Sequence, residues 1–363
     1  MNWAFSVAAH PGELLSGYLC RTATAHGATP FSFMRAHLND KVFWARDIDR
    51  GAVSRYESAL GEASGLGVGM IRSMTLIDWM HALTPRSYAK RIPAIAPWIN
   101  ASGVFHRTRR LHALQFCSQC LAETGIVEKS WRLSVMVACP VHRTPLDDAC
   151  PRCDAPFIPH RGNVRGYRCH ACSVPLAVGA SGAGLRHTTG QSPDVDAVEM
   201  QTSLRNALTR ACDEGSSEAL AELRACRVLT SVLLSHQHAR ATEEALHLGH
   251  LTGQRIGRQV ETMRLAERHR VLVMCGRLLA GWPNSIRAIA SATGLRQEAF
   301  ESCGEMPIWL RGEVERLPLR KARRPGRAKR NLDERIGRLH EFRPSNWRAG
   351  RAALMLRAAQ ARR

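Results

Sequence analysis

The stretch from residue 117 to residue 172 contains four closely spaced ligand pairs, CSQC (117–120), CPVH (139–142), CPRC (150–153) and CHAC (169–172). In each pair, two intervening residues let a tight turn aim both ligands at one metal ion, and a tetrahedral zinc site needs two such turns. Four pairs therefore predict two zinc sites. Because protein ligands would fill all four positions of each ion, no position remains for a catalytic water, and both ions are expected to be structural.

The pairing of these turns has two interpretations. Sequential pairing, which we favour, gives one site of three cysteines and a histidine and one site of four cysteines. The alternative is an interleaved cross-brace, in which alternate pairs share an ion. In the sequential arrangement the first site is formed by Cys117, Cys120, Cys139 and His142, and the second by Cys150, Cys153, Cys169 and Cys172.

Disulfide bonds are the other use for so many cysteines, but they need an oxidising compartment. Residues 1–15 have neither the basic region nor the apolar region of a signal peptide, and the chain has no run of about 18 apolar residues that would span a membrane. The sequence therefore predicts a cytoplasmic protein with no membrane partner. The cysteines without ligand-spaced partners are expected to be buried apolar side chains: Cys20, Cys212, Cys226, Cys275 and Cys303.

The net charge favours an anionic partner. The chain has 363 residues, enough for two or three domains, and a formal net charge of +20, which most often indicates nucleic acid. A basic surface that contacts only solvent is the alternative. Arginine dominates the C-terminal tail, and its planar fork suits phosphate oxygens. The candidate phosphate contacts in the tail are Arg320, Lys321, Arg323, Arg324, Arg327, Lys329 and Arg330.

Hydrophobic spacing predicts a mainly α fold, with a helix over residues 16–25 whose inner face includes Leu15 and Leu19. A glycine-rich run suggests a flexible linker after the zinc module. The predicted segments are an N-terminal helical region with a helix-turn-helix (1–110), a tandem zinc-binding module of the ribbon or knuckle type (111–178), the linker (179–196), a C-terminal helical region with a second helix-turn-helix (197–315), and a basic tail (316–363) with a short helix near 352–358.

The helix-turn-helix prediction comes from two similar stretches, ASGLGVGMI (63–71) and ATGLRQEAF (292–300). Each has a small residue before Gly-Leu and an apolar anchor five residues after the leucine, so that the glycine makes the turn and the second helix faces a DNA groove. A plain pair of core helices is the alternative for each copy. Candidate readers of base edges are Arg72 in the first copy and Arg296 and Gln297 in the second, and each of them could instead be a surface charge or a phosphate contact.

Motifs for catalysis are weak. The glycines at 65, 67 and 69 lack the preceding strand and the lysine of a phosphate-binding loop. The pair Asp147-Asp148 is expected to be a solvated turn between ligand pairs rather than a catalytic carboxylate pair. The sequence therefore gives no positive reason to predict an enzyme.

The ligand pairs and their flanking residues resemble the TniQ/TnsD family of bacterial transposition proteins. The opening PGELLSGYLCR (11–21) resembles that family's first helix, and Gly281-Trp282-Pro283 resembles the C-terminal region of its longer members. The flanking residues that carry the resemblance in the zinc module are Phe116, Leu121, Trp131, Pro140, Pro145, Leu146, Pro151, Pro175 and Leu176.

This resemblance implies a target-selection factor of a bacterial transposon of the TnsD-using or mercury-resistance type, which neither cuts nor joins DNA. Such a protein recognises the insertion site by binding double-stranded DNA or by docking on an RNA-guided CRISPR effector, and it recruits an AAA+ ATPase (TnsC/TniB-like) that engages the transposase complex. The sequence leaves open which mode applies and whether the protein forms a homodimer.

Two other classes of protein fit the residues. A zinc-containing helix-turn-helix transcriptional regulator would bind an operator unaided, and a DNA-processing enzyme such as a nuclease would use the zinc module as a scaffold.

Overall fold

The computed structural model describes residues 2–51, 53–84, 96–100, 112–161, 167–178, 193–233, 242–244, 246, 259–303 and 305–319. Within these ranges the fold is mainly helical, with isolated β-bridges and no extended strand. The mainly α prediction is therefore confirmed.

The N-terminal region consists of short helices. They are α1 (Leu15–Ala25), α2 (Pro30–Leu38), α3 (Glu57–Ser64), α4 (Gly67–Ser73) and α5 (Ile77–Leu83). The predicted α1 is present, with Leu15 and Leu19 fully buried. The start of α2 follows from its sequence, because the Thr29 side chain accepts a hydrogen bond from the Ser32 amide and Pro30 takes the first helical position, where no amide hydrogen is needed.

The central module has little regular structure. It contains α6 (Ser118–Thr124) and the 3₁₀ turns Lys129–Arg132 and Pro159–Arg161. Antiparallel bridges between isolated residue pairs hold the rest of its backbone, for example Phe116 with Asp147. A module with so little regular secondary structure needs another source of order.

The C-terminal region returns to longer helices. They are α7 (Val195–Asp213), α8 (Ser217–Leu233), α9 (Leu265–Ala280), α10 (Asn284–Thr293) and α11 (Ile308–Val314), with 3₁₀ turns at Val260–Thr262 and Gln297–Cys303. α7 and α9 approach closely at Gly276, where a Cβ atom would lie 2.8 Å from the Asp196 carbonyl oxygen. Only glycine fits this crossing without a shift of one helix.

One hydrophobic core includes side chains from all three regions, such as Leu14, Trp131 and Leu272. A second core lies within the N-terminal region around Tyr18, Phe33 and Ile71. Residues 1–318 form one compact unit.

Residues 319–363 form a second unit, of which the structure describes Leu319. The tail candidates for phosphate binding from Arg320 to Arg330 and the predicted helix near 352–358 lie outside the described residues, as does the linker from 179 to 192.

Buried polar side chains join the regions within the compact unit. In α7, the side-chain oxygen of Gln201 accepts hydrogen bonds from the backbone amides of Val137 and Ala138. Its side-chain nitrogen donates to the Ala138 carbonyl at 3.0 Å. The Trp98 indole donates to the Leu223 carbonyl of α8, and its backbone amide donates to Glu261. These bonds connect the C-terminal helices to the central module and to the N-terminal region.

Among the residues that the structure describes, no helix combines the length and the apolar character that crossing a membrane would require.

Candidate metal centres

The first ligand cluster contains Cys117, Cys120, Cys139 and His142. Cys117 immediately precedes α6 and Cys120 lies in its first turn, while the other two residues come from a tight turn that follows a buried segment. The three sulfur atoms lie 3.5, 3.2 and 3.5 Å, respectively, from the histidine Nδ1 atom, and the Cys120 and Cys139 sulfurs are 3.5 Å apart.

These distances match a tetrahedral metal site. Ligand atoms at ordinary zinc–sulfur and zinc–nitrogen distances are separated by roughly 3.5–3.8 Å at the corners of a tetrahedron. The hydrogen bond between Cys117 and Cys139 lowers the pKa of Cys139 and raises that of Cys117, so the pair favours a single thiolate, the form that binds metal. The cluster can therefore hold a metal ion and is compatible with zinc.

A carboxylate orients the histidine of this cluster. His142 Nε2 lies 3.0 Å from the Glu123 carboxylate at the end of α6, while Nδ1 faces the three sulfurs. A proton on Nε2 that is donated to Glu123 leaves Nδ1 free to act as the ligand. Sequence spacing predicted the histidine, but not its Glu123 partner or which ring nitrogen faces the sulfurs.

The second cluster contains Cys150, Cys153, Cys169 and Cys172, with all ligand atoms within 4.8 Å of one another. The sulfurs of Cys150 and Cys172 are 3.5 Å apart, and those of Cys153 and Cys169 are 3.6 Å apart. Cys150 and Cys169 are buried, whereas Cys153 is exposed. The structure thus groups the eight ligands as in the sequential interpretation and not in an interleaved cross-brace.

Three of the four turns share one backbone design. In each, the first cysteine donates its backbone amide to the carbonyl five residues later and accepts from the amide four residues later. The residue before that cysteine forms a bridge with a proline seven residues further along the chain. The fourth residue after each cysteine has a left-handed backbone with a φ of 54° to 60°, although none is glycine: Arg143, Asp154 and Ser173.

A left-handed conformation costs a non-glycine residue about 1–2 kcal/mol, so each of these turns needs a compensating interaction. A bound metal ion would provide one, because it would join two turns through their ligands. The turn design thus agrees with the chemistry of the ligands.

The second cluster is attached to the rest of the compact unit on two sides. Tyr167, two residues before Cys169, donates its hydroxyl to the Gly125 carbonyl at the end of α6. Arg264, at the start of α9, donates to both oxygens of Asp154 and to both oxygens of Asp148. This cluster therefore connects α6 of the first cluster to the C-terminal helices.

The prediction of a solvated turn at Asp147-Asp148 is wrong, because both residues are buried. The Asp148 carboxylate also accepts from the Leu265 amide and so caps α9. Arg264 is 116 residues away in the chain, and no local spacing could have revealed it. The other cysteines agree better with the sequence: Cys20, Cys226, Cys275 and Cys303 are buried, and Cys212 is half-buried.

The first candidate helix-turn-helix consists of α3 and α4 joined by a tight turn at Gly65, whose φ is 74°. Gly61 allows the close approach, since a Cβ atom there would lie 2.8 Å from the Gly67 carbonyl carbon. The predicted apolar anchor, Ile71, is fully buried. The candidate reader Arg72 lies exposed on α4 and forms a 3.3 Å ion pair with Asp78.

The second copy begins with α10 and a left-handed Gly294, and its anchor Phe300 is fully buried. Its second segment is the 3₁₀ turn Gln297–Cys303 rather than an α-helix. The side-chain amide of Gln297 donates to the carbonyls of Glu315 and Leu317 and so holds the end of α11. Arg296 is exposed.

The N-terminal end of α1 meets the central module through Glu13. This carboxylate is fully buried and accepts from Arg21 at 3.0 and 2.7 Å and from the His10 amide. The backbone of Glu13 bridges that of Glu128, which follows α6. The opening segment and the first cluster are therefore parts of one structure.

Residues 4–146 match the family model of TniQ. This part of the chain is therefore similar to a TniQ domain. The match supports the family resemblance noted from the sequence and, with it, a role related to transposition. A comparison with curated proteins gave no match to this chain.

The TniQ match ends between the two ligand clusters. The matched residues include the Glu13–Arg21 pair, both candidate helices α3 and α4, and all four ligands of the first cluster. The second cluster begins at Cys150, beyond the match, and belongs to the part of the chain that joins the matched residues to the C-terminal helices.

Proposed function

We propose that this protein selects the target site for DNA transposition. In this proposal it binds double-stranded DNA at the insertion site and recruits an AAA+ ATPase, which engages the transposase. The observation that carries the proposal is the TniQ match over residues 4–146, which supports a role related to transposition.

In the same proposal, both clusters bind zinc as a structural ion. All four ligands of each cluster are protein side chains, so the ions would hold the turns in place and would not activate water. When bound, zinc supplies a tetrahedral crosslink. Glu123 would orient the ligand His142 at the first cluster. The contact between Arg264 and Asp154 would hold the ligand turn of the second cluster in place.

DNA contact would come from α4 and from the basic tail. α4 exposes Val68, Met70 and Arg72, which suit contacts with a thymine methyl group and with a base edge or phosphate. The Arg72–Asp78 pair is exposed on both sides, and such pairs contribute little free energy, so Arg72 can exchange this partner for a phosphate. Tail arginines would add affinity that does not depend on sequence.

Footprinting of the purified zinc-loaded chain on host genomic fragments at about 150 mM salt, with and without the AAA+ ATPase and ATP, tests the proposal. We expect a discrete protected site that extends when ATPase and ATP are added. An Arg72→Ala variant should weaken protection, and the matched variant Arg35→Ala, which changes an exposed arginine on α2, should not.

Three results would contradict the proposal in different ways. Diffuse binding that disappears with salt would indicate that another component reads the target, as in docking on an RNA-guided CRISPR effector. Protection of a palindromic site that ignores the ATPase would indicate a transcriptional regulator. Magnesium-dependent nicking of plasmid DNA would indicate an enzyme.

A further inference from the structure

Arg268 of α9 lies where three regions of the compact unit meet, and its side chain is fully buried. Its NH1 group donates to the Asn100 side-chain oxygen at 3.2 Å and to the Ser134 carbonyl at 3.4 Å. Both partners are neutral. Burial of a charged group with only neutral partners is costly unless a counter-charge lies nearby.

No carboxylate within the compact unit pairs with this guanidinium. Every Asp and Glu of residues 1–318 lies in the part of the chain that the structure describes, and none of these approaches Arg268 within the 4.0 Å of an ion pair. The negative charges of Asp148 and Glu267 attract the guanidinium of Arg268 from a distance, but both carboxylates already accept hydrogen bonds from Arg264. Burial lowers the pKa of Arg268 to about 10, so the side chain remains charged at neutral pH.

Within the part of the chain that the structure describes, the same three residues carry four buried polar atoms that have no hydrogen-bond partner. They are Nε and NH2 of Arg268, Nδ2 of Asn100 and Oγ of Ser134. The three nitrogen atoms can only donate, and the hydroxyl can donate as well. Unpaired donors on a guanidinium and on the two residues that it contacts favour an anion over a cation.

We propose that Arg268, Asn100 and Ser134 bind one small monovalent anion of the size of chloride. A single uncompensated guanidinium calls for one negative charge, and full burial favours an ion that needs little space. Asn100 belongs to the N-terminal region, Ser134 to the central module and Arg268 to the C-terminal helices, so the ion would join all three. This proposal does not depend on the proposed role in transposition.

The test is thermal unfolding of the full zinc-loaded chain at constant ionic strength while chloride replaces glutamate. A ligand that binds only the folded state raises the unfolding midpoint, and at chloride far above its dissociation constant we expect a rise of at least about 3 °C. Arg268→Met should abolish the dependence on chloride, whereas the exposed control Arg35→Met should retain it.

Crystals of the wild-type chain grown in bromide provide a second measurement that does not require the variant to fold. We expect an anomalous peak within hydrogen-bonding distance of the Arg268 guanidinium and the Asn100 amide. Ordered water at that position without an anomalous peak, or an unfolding midpoint of the wild type that is the same in chloride and glutamate, would overturn the proposal.

Discussion

Glu13 shows how a single buried carboxylate can organise the start of the region that matches TniQ. Its side chain is fully buried, and that of Arg21 is 24% exposed. We predict that Glu13→Ala lowers the free energy of unfolding by about 2–4 kcal/mol, because the substitution leaves Arg21 and the His10 amide without their acceptor. Urea unfolding of the zinc-loaded chain measures this change.

The exposed pair Arg72–Asp78 is the matched control for this prediction. Its side chains are 45% and 56% exposed, so Asp78→Ala should cost less than about 1 kcal/mol. Equal effects of the two substitutions would show that burial does not set the strength of the Glu13–Arg21 pair.

At the residue scale, the sequence predicts contacts that are close in the chain and misses those that are distant. Two-residue spacing was enough to predict the eight side chains that form the two clusters, because a tight turn brings such residues together whatever the surrounding fold. The partners of Asp148 lie 116 and 117 residues away, and Trp98 and Glu261 are 163 residues apart. Only the tertiary fold brings these residues together.

At the scale of elements, the contact between α7 and α9 depends on Gly276. A methyl group there would approach the Asp196 carbonyl to 2.8 Å, which is closer than real Cβ contacts. We predict that Gly276→Ala destabilises the chain by about 1–3 kcal/mol through overpacking. The measurement is the shift of the urea unfolding midpoint.

Gly312 in α11 provides the opposite case. A Cβ atom there would meet no atom within 4 Å, and alanine is favoured over glycine in a helix. Gly312→Ala should therefore stabilise the chain by up to about 1 kcal/mol. If both glycine substitutions shift stability in the same direction, the close approach at Gly276 does not limit the packing of α9 on α7.

The ligand turns give a prediction about metal content. We expect two equivalents of zinc per chain by metal analysis, because each cluster is complete. Cys153→Ala should retain one equivalent, and Cys212→Ala, which removes a half-buried cysteine outside both clusters, should retain two. One equivalent in the wild-type chain would exclude the two-site account.

In the second candidate helix-turn-helix, the local sequence pattern did not predict the type of the second helix. The pattern after Gly294 correctly placed the buried anchor Phe300, but it did not predict that Gln297–Cys303 would form a 3₁₀ turn. Gln297 donates to two carbonyls at the end of α11. These tertiary bonds fix the backbone of a segment whose own sequence is compatible with an α-helix.

At the scale of the whole molecule, the predicted segments share cores and polar contacts. Helical spacing and ligand pairs indicated separate regions, but they did not predict that residues 1–318 would form one compact unit. One hydrophobic core contains Leu14, Trp131 and Leu272, which come from separate regions. Periodicity identifies the inner face of a helix without identifying the element that covers it.

The division at Pro318 makes the role of the tail testable. Residues 319–363 contain 15 Lys and Arg residues and three acidic ones. A chain that ends at Pro318 should keep the unfolding midpoint of the full chain but bind DNA more weakly. The slope of its salt dependence should fall by about 0.9 for each phosphate that the tail neutralises in the full chain. An unchanged slope in a salt titration would show that the tail does not bind DNA.

We propose that this protein, whose residues 4–146 match TniQ, chooses where a transposon inserts. The most direct measurement is sequencing of insertion positions in cells that express the transposase and the AAA+ ATPase, with this chain or with its Cys117→Ser variant. We expect insertions to be concentrated at one site with the intact chain and to be dispersed or absent with the variant. The same distribution of insertions in both cells would contradict it.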